Sequence, residues 1–351
     1  MSDNINSLSG RTVAGCELIQ ELGRGNNGVV YLARQTKLDR LVACKIISDD
    51  LQNDPDFMDN LFAEAANAAK LSHPNIIQAL DAGSDENGLK YFLMEYVPGH
   101  SLEYIRTDCP EKISTRFLLD ISMQLAKTMD DVWQQHKMIH GDIKPGNLMI
   151  ADENNTLKIG DLGLARSSNG VSDPDDVMIT PLYAAPEVIA QNAESIGQTT
   201  DIYSFGVMFY ELACGKAPFT GSIEEILHGH LYDAPAPLMV MNPDFDRELA
   251  SFIDSMLAKD PAARPKDWKS VLYNLQTISY RLFPDSVPAP APVSPQNMAS
   301  RQKSWSAEKS KQNDKFFHKL MKKFPWLFPA LLIIIILAAL VSIPFSMGLF
   351  K

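Results

Sequence analysis

The sequence predicts an α+β fold in which a small, sheet-rich amino-terminal half precedes a larger, mainly helical half. Short apolar runs broken by glycines fill residues 17–47, which is typical of strands joined by tight turns. A helical period of apolar residues begins at residue 54, and helical patterns dominate residues 98–283. Because the two halves differ in secondary structure, we expect two packed bodies with a cleft between them.

Three strands are predicted near the start of this body. The first covers residues 17–22, the second resumes after a glycine-rich stretch at residues 29–32, and the third covers residues 41–47. The third run is continuously apolar and partly β-branched, which is typical of a buried strand. These strands should therefore form one sheet.

A helix is predicted from residue 54 onward. Asp54 and Pro55 supply an N-cap and a first-turn proline. A further strand over residues 91–97 ends at the Pro98–Gly99 pair, after which the pattern is mainly helical. The apolar residues that recur at helical spacing in the first helix are Phe57, Leu61, Phe62, Ala65 and Ala69.

The composition sets the class of protein. The chain has 351 residues, of which 45% are hydrophobic and 21% charged, enough for one large domain or two ordinary ones. This composition excludes disordered, collagen-like and disulfide-stapled chains. The four cysteines form no CxxC pair and no cluster with histidine, so we expect reduced thiols and no structural zinc site.

The formal charge of −11 is an average over two unlike parts. Residues 299–351 hold nine basic and two acidic residues, which leaves 23 basic and 41 acidic residues, a charge of −18, in residues 1–298. An acidic body argues against nucleic acid as its partner, because the phosphate backbone would be repelled. The basic tail needs its own explanation.

A glycine signature occupies residues 23–30, with Gly23, Gly25 and Gly28 at its core. Glycines at this spacing let backbone N–H groups approach phosphate oxygens without interference from a Cβ atom. A flexible hairpin is the plain alternative, and dinucleotide-binding folds carry a related pattern. However, a strand follows here where a dinucleotide fold would begin a helix.

Lys45 ends the apolar run of the third strand. A lysine in such a place is costly to bury unless an anionic group meets it. Glu64 lies on the next predicted helix, where it could face that strand. Two interpretations remain open: the two charges are unrelated surface groups, or they form an ion pair that holds Lys45 on nucleotide phosphates.

The strongest cluster covers residues 140–148, His-Gly-Asp-Ile-Lys-Pro-Gly-Asn-Leu, and is followed by Asp161 in residues 158–163. The Asp142 carboxylate could orient a substrate hydroxyl and accept its proton. Asn147 and Asp161 supply hard oxygen ligands of the kind that Mg²⁺ prefers. The cluster therefore predicts phosphoryl-transfer chemistry.

Residues 16–283 resemble the eukaryotic-type (Hanks-type) protein kinase family, in a bacterial-like form. The resemblance rests on four motifs that occur in the family's order: the glycine loop, Val-Ala-Cys-Lys, His-Gly-Asp and Asp-Leu-Gly. The resemblance implies the two-lobed kinase fold, with an N-lobe over about residues 16–94 and a C-lobe over about 98–283. It also implies a Ser/Thr kinase, because Lys144 stands where the Ser/Thr enzymes have lysine.

Three later segments support a protein kinase over aminoglycoside- and choline-type phosphotransferases, which share the His-Gly-Asp triplet. Residues 180–187 look like the end of an activation segment, with Thr180 as the family's structural threonine near Asp142 and Lys144. Residues 201–206 look like the helix that supports the catalytic loop. Residues 260–265 resemble the segment whose arginine, here Arg264, pairs with Glu187.

The resemblance assigns roles to individual residues. It implies that Asp142 orients the acceptor hydroxyl, that Lys144 steadies phosphate charge and that Lys45, supported by Glu64, positions the α- and β-phosphates of ATP. Asn147 and Asp161 would hold Mg²⁺. The implied nucleotide site consists of Leu22, Gly23, Gly25, Gly28, Val30, Ala43, Lys45, Glu95, Val97 and Met149, with Met94 at its back.

Three positions depart from the family pattern. Gly141 stands where many kinases have the arginine that binds a phosphorylated activation loop, which puts that form of gating in doubt. Leu162 replaces the phenylalanine of Asp-Phe-Gly, a conservative apolar change. Ile179 replaces a frequent glycine, and we have no functional account of it.

The carboxy-terminal part predicts a membrane anchor. A Pro-rich linker over residues 284–300 and a basic juxtamembrane segment over 301–323 precede residues 326–348, which carry no charge. As a helix, these 23 residues would span the roughly 30 Å hydrocarbon core. Apart from Lys351, the positive residues of 299–351 precede this stretch. We therefore expect the kinase in the cytoplasm, at a bacterial inner or plasma membrane, with the basic segment against anionic lipid.

The sequence thus predicts a membrane-tethered Ser/Thr protein kinase that acts on protein hydroxyls with ATP and Mg²⁺. A pseudokinase-like membrane scaffold without turnover is the main alternative, and the complete set of catalytic residues weighs against it. A small-molecule phosphotransferase is a further alternative.

Overall fold

The computed structural model describes residues 8–25, 28–48, 51, 70–161, 166–167 (backbone only) and 180–285. It divides into compact units over residues 1–290 and 291–351, the second of which lies wholly outside the described residues. The predicted helix from residue 54, with Glu64, also lies outside them, as do Leu162, the linker beyond residue 285, the basic segment and the predicted membrane span.

The amino-terminal part is a six-stranded antiparallel sheet in the order β1-β2-β3-β4-β6-β5. Its strands are β1 (Thr12–Val13), β2 (Cys16–Gly25), β3 (Gly28–Gln35), β4 (Arg40–Ile47), β5 (Ala79–Ser84) and β6 (Lys90–Glu95).

Alternating apolar residues build the core of this sheet, since successive side chains of a strand point to opposite faces. Leu18, Tyr31, Ala33 and Cys44 are fully buried in one cluster. The other face carries Lys45, so the strand that packs the core also presents a cation at the cleft. The predicted strands are present, and β2 and β3 are longer than expected because the glycine segment itself pairs.

That pairing depends on the glycine that opens β3. Gly28 has φ of +141°, and a Cβ atom there would lie 1.9 Å from the carbonyl oxygen of Ile46 on β4. Only a residue without a side chain can take this position without breaking the sheet. The glycine at residue 28 is therefore required by strand packing as well as by its place in the predicted loop.

The carboxy-terminal part is mainly helical. Small sheets of order β10-β9-β7 and β11-β8 lie between the helices, formed by β7 (Gly99–Ser101), β8 (Met138–Ile139), β9 (Leu148–Ala151), β10 (Leu157–Ile159) and β11 (Arg166–Ser167). The helices are α1 (Leu102–Asp108), α2 (Thr115–His136), α3 (Pro186–Ile189), α4 (Gln198–Cys214), α5 (Ile223–Tyr232), α6 (Leu238–Met241), α7 (Arg247–Met256) and α8 (Trp268–Leu282).

Helix α4 forms the centre of this part. Every residue from Thr200 to Ala213 is buried, which is typical of a helix packed on all sides. Phe205 lies against Trp268 of α8, with ring centroids 5.7 Å apart. The glycine at its C-cap, Gly215, has φ of +82° and ends the helix in a left-handed conformation. The helix predicted to support the catalytic loop is therefore the central buried helix of the C-lobe.

Within the part of the chain that the structure describes, no helix combines the length and apolar character needed to cross a bilayer.

Candidate active site

The glycine turn joins β2 to β3 above the cleft. Gly25 pairs with Gly28, and Gly23 pairs with Val30, so the strands stay in register up to the turn. No heavy atom lies within 4 Å of a Cβ placed at Gly23 or Gly25. Nothing in the described protein fills this space, and the backbone there is open to an incoming group such as a phosphate.

Lys45 lies on β4 opposite Val30, on the face of the sheet turned to the cleft. Its Nζ atom is 3.8 Å from Oδ2 of Asp161, and the two side chains are 18% and 44% exposed. The structure thus brings together a lysine of the N-lobe and an aspartate of the C-lobe. Asp161 has φ of +45°, a left-handed conformation that aspartate adopts more readily than most residues.

The catalytic-loop carboxylate Asp142 is held by its neighbours on both oxygens. Asn147 donates from Nδ2 to Asp142 Oδ2 at 2.9 Å and to the Asp142 carbonyl oxygen at 2.8 Å. Lys144 Nζ lies 2.6 Å from Oδ2, and the Thr180 hydroxyl donates to Oδ1 at 2.7 Å. Such a carboxylate is fixed in orientation before any substrate arrives.

Lys144 joins the two segments that border this carboxylate. Besides its contact with Asp142, its Nζ donates to Thr180 Oγ1 at 2.9 Å. The expected position of Thr180 beside Asp142 and Lys144 is confirmed. The turn that begins at Thr180 is therefore tied directly to the catalytic loop.

Helix α4 holds the backbone of that loop through Asp201. Its carboxylate, 1% exposed, accepts hydrogen bonds from the backbone N–H groups of His140 and Gly141, at 2.7 and 2.8 Å. Burial raises the pKa of Asp201, whereas the two N–H donors act to lower it. Gly141 has φ of +80°, so the residue that replaces the family's arginine also has a left-handed conformation.

The catalytic loop and the strand that leads to Asp161 are joined at Gly160. The Gly160 N–H donates to the carbonyl oxygen of Asn147 at 2.8 Å, and its own carbonyl oxygen lies 3.2 Å from Nε2 of the buried His140. The two predicted metal ligands, Asn147 and Asp161, are therefore held in one hydrogen-bonded unit.

This donor set fits Mg²⁺. Because Asn147 Nδ2 is occupied by Asp142, its Oδ1 is the atom left to accept or ligate, and the Asp161 carboxylate is half-exposed. Mg²⁺ commonly uses one or two protein oxygens together with water and substrate phosphates. Among the described residues, no group of three or more His, Cys, Asp or Glu side chains lies close enough together to hold a metal ion.

Three of the predicted nucleotide residues, Gly23, Val30 and Lys45, are neighbours across the sheet. Val30 on β3 lies opposite both Gly23 and Lys45, and Ala43 lies opposite Met94. The remaining members are Leu22 on β2, Glu95 at the end of β6, Val97 just after it and Met149 on β9.

An ion pair made by Glu95, one of the predicted nucleotide residues, was not predicted from the sequence. Lys158 of β10 lies 2.6 Å from Glu95, whose other oxygen accepts from the backbone N–H of Gln78 at 3.2 Å. The Glu95 side chain is therefore engaged by protein groups. Sequence reasoning had no signal for this pair, because the two residues are far apart in the chain and each is an ordinary surface residue type.

A buried ion pair anchors the segment that follows Thr180. Arg264 donates from both terminal nitrogens to the two oxygens of Glu187, each at 2.8 Å, and the two side chains are at most 3% exposed. Thr200 donates its hydroxyl to the same carboxylate at 2.8 Å. The predicted pairing of Arg264 with Glu187 is confirmed.

Comparison with known families agrees with this geometry. Residues 16–274 match the family model described as protein kinase domain. Serine/threonine-protein kinase PknB of Mycolicibacterium smegmatis is 37% identical over 257 residues, which is 71% of this chain and 40% of that protein. A probable serine/threonine-protein kinase of Clostridium acetobutylicum is 32% identical over 262 residues, 74% of this chain and 39% of that protein.

Solved structures show the same fold. The kinase domain of Mycobacterium tuberculosis PknI, as a double mutant, superposes with a TM-score of 0.60 at 24% identity, covering 76% of this chain and 96% of that one. The predicted two-lobed α+β fold is thereby confirmed. The chain spans about 40% of the length of the curated relatives it matches.

Proposed function

Because the chain belongs to the protein kinase domain family, we propose that it is a Ser/Thr protein kinase that transfers the γ-phosphoryl group of ATP to serine or threonine hydroxyls of proteins. One observation carries the proposal: the Asp142 carboxylate is fixed by Asn147, Lys144 and Thr180 at the mouth of the cleft. The match to relatives named as serine/threonine-protein kinases supports it.

The acceptor side of the reaction depends on Asp142. An acceptor hydroxyl within hydrogen-bond reach of this carboxylate would be oriented for attack, and its proton would pass to the carboxylate oxygen. Lys144, 2.6 Å from that carboxylate, adds a positive charge where negative charge collects during transfer. Thr180 holds the other oxygen, so the carboxylate cannot rotate away.

The nucleotide side depends on groups from both lobes. Lys45 would bind the α- and β-phosphates under the glycine turn, with Glu64, outside the described residues, as its proposed partner. Asn147 and Asp161 would hold Mg²⁺, which when bound neutralises phosphate charge. The protein's own contribution is mainly position and charge, as expected for phosphoryl transfer.

Acceptor choice tests this proposal. The full-length chain in detergent, given labelled ATP and Mg²⁺, should label serine and threonine of protein acceptors and leave aminoglycosides, choline and free amines unlabelled. Labelling of the small molecules instead would favour the small-molecule phosphotransferase. ATP binding with no turnover on any acceptor would favour the scaffold.

We further propose that residues 326–348 tether the kinase to a membrane, with residues 301–323 against anionic headgroups. The support is the uncharged stretch of 23 residues and the nine basic residues of residues 299–351, eight of which precede it. A membrane-spanning helix attaches a protein to the bilayer far more strongly than electrostatic attraction to headgroups does. Residues 326–348 should therefore contribute more to membrane attachment than residues 301–323.

Removal of residues 325–351 is expected to release the protein from membranes and to change its rate on a soluble peptide by less than about twofold. The reason is that a Pro-rich and basic stretch of chain separates the anchor from the catalytic body, and such a chain transmits no defined strain. Fractionation, carbonate extraction and peptide kinetics measure both effects. As a control, neutralising the basic residues of 301–323 should leave attachment intact. Release of the full-length chain by high salt alone would contradict a spanning anchor.

The kinase is expected to be active without phosphorylation of its activation segment. Gly141 offers no side chain to pair with a phosphate, and its backbone N–H is already bonded to Asp201. Phosphatase treatment, or Ser167→Ala, Ser168→Ala and Ser172→Ala together, should change the peptide rate by less than about twofold. Thr180 is left unchanged because it bonds Asp142. A tenfold drop would show that another basic residue serves as the phosphate receptor.

A further inference from the structure

A cluster of side chains, three of them buried and two half-buried, lies beneath the turn of residues 180–184, here named the docking turn. This turn begins at Thr180, which touches the catalytic carboxylate, so a peptide that brings a hydroxyl to Asp142 must pass over it. The cluster beneath it is formed by Tyr203 of α4, Phe219, His230 of α5, and Lys259 and Arg264 in the segment between α7 and α8.

Among the described contacts, His230 is the member of this cluster that forms a hydrogen bond with the docking turn. Its Nε2 atom is 3.0 Å from the carbonyl oxygen of Leu182, and its Nδ1 atom is 2.9 Å from the Tyr203 hydroxyl. The side chain is fully buried, and burial lowers the pKa of His230 to about 4, so the ring is neutral at pH 7.

The direction of these bonds follows from the partners. A carbonyl oxygen can only accept, so the proton of the neutral ring must be on Nε2. Nδ1 then has only a lone pair, and the Tyr203 hydroxyl must donate to it. Lys259 Nζ lies 3.5 Å from the Tyr203 oxygen and 2.7 Å from the carbonyl oxygen of Gly229, and it can only donate.

The result is a chain of hydrogen bonds with one direction: Lys259 donates to Tyr203, Tyr203 donates to His230, and His230 donates to the Leu182 carbonyl oxygen. The aromatic packing keeps the ring in place: Phe219 lies edge-on to His230 with centroids 5.0 Å apart, and the Arg264 guanidinium lies 4.7 Å from the Tyr203 ring centroid. A Cβ at residue 229 would lie 2.6 Å from Phe219, so Gly229 is what lets Phe219 approach.

We propose that His230 is a positioning residue for the protein acceptor: by donating from Nε2 to the Leu182 carbonyl, it fixes the docking turn on which the acceptor peptide lies. The inference rests on the proposed kinase function and deepens it. Thr180 keeps its own bonds to Asp142 and Lys144. Loss of the His230 bond should therefore weaken peptide binding while leaving the ATP side of the site intact.

Two matched variants separate this role from simple packing. A glutamine amide nitrogen reaches the position of Nε2, so His230→Gln keeps a donor for Leu182. An asparagine amide reaches only the position of Nδ1, so His230→Asn keeps a partner for Tyr203 and loses the donor. Full-length protein in detergent would be assayed with a peptide pool that has a central serine, and without peptide for ATP hydrolysis.

His230→Asn is expected to raise the KM for peptide about fivefold to tenfold, the scale of one net hydrogen bond. The KM for ATP and the peptide-free ATP hydrolysis rate should stay within about twofold for both variants. His230→Gln keeps the donor to Leu182 but loses the acceptor for the Tyr203 hydroxyl, so its peptide KM should rise by no more than about twofold to threefold. Equal effects of the two variants, or parallel losses in peptide phosphorylation and ATP hydrolysis, would overturn the proposal.

A second variant covers the case in which His230→Asn fails to fold. Tyr203→Phe keeps the ring beneath Arg264 and removes only the hydroxyl that orients His230, so it should raise the peptide KM by about twofold to threefold. An unchanged peptide KM would overturn the donor chain. Failure of the kinase function itself has a different signature, since the wild-type chain would then label no serine peptide at all.

Discussion

An Asp142→Asn variant is expected to lose phosphoryl transfer by about 10²-fold to 10⁴-fold, the range that a general base contributes, while binding ATP with a Kd within about twofold of the wild type. Asparagine has nearly the same shape, but it cannot accept a proton and carries no charge opposite Lys144. ATP is expected to bind through Lys45 and the glycine turn, which the substitution does not touch. Peptide kinetics and ATP titration measure the two quantities.

The matched control is Lys45→Met. Because Lys45 faces Asp161 across the cleft at 3.8 Å, its removal should weaken ATP binding as well as the rate. A melting curve for each variant checks that neither loss comes from unfolding. Near-normal phosphorylation by Asp142→Asn would remove Asp142 from its proposed role and, with it, the main support for the proposed mechanism.

The core of this site could be predicted because its residues are neighbours in short motifs. Asp142, Lys144 and Asn147 lie within six residues, so the loop that carries them fixes their relation. Thr180 and the Arg264–Glu187 pair are distant in sequence, yet they too were predicted, since the family resemblance supplies the pairing. The structure adds the distances and shows both oxygens of Asp142 engaged.

Other features have no local signal. Strand β5 contains aspartate and glycine, which disfavour strands, and it forms because it pairs with β6 at the sheet edge. His230 reads as an ordinary helix residue, and only the approach of Leu182, Tyr203 and Phe219 from three other segments gives it partners. Such contacts depend on tertiary packing, and the spacing of apolar residues along the sequence gives no information about them.

An Arg264→Met variant is expected to lower the free energy of unfolding by about 3–5 kcal/mol, the usual effect of breaking a buried ion pair on one side. It leaves the Glu187 carboxylate, 3% exposed, with Thr200 as its remaining donor among the described side chains. It also removes the donors of the Ala258, Lys259 and Thr199 carbonyl oxygens. Denaturant unfolding of the full-length chain measures the change.

Two comparisons decide whether burial is the reason. Arg281 makes two short ion pairs, with Asp246 and Glu248, but its side chain is 45% exposed, so Arg281→Met should cost less than about 1 kcal/mol. Adding Glu187→Gln to Arg264→Met should recover part of the loss, because the uncompensated charge is then gone. Equal losses for the Arg264 and Arg281 variants would show that the Glu187 pair acts as an ordinary surface contact. In that case the position of the docking turn would depend on its own hydrogen bonds, among them those of Thr180, His230 and Ser204, and not on the ion pair that follows it.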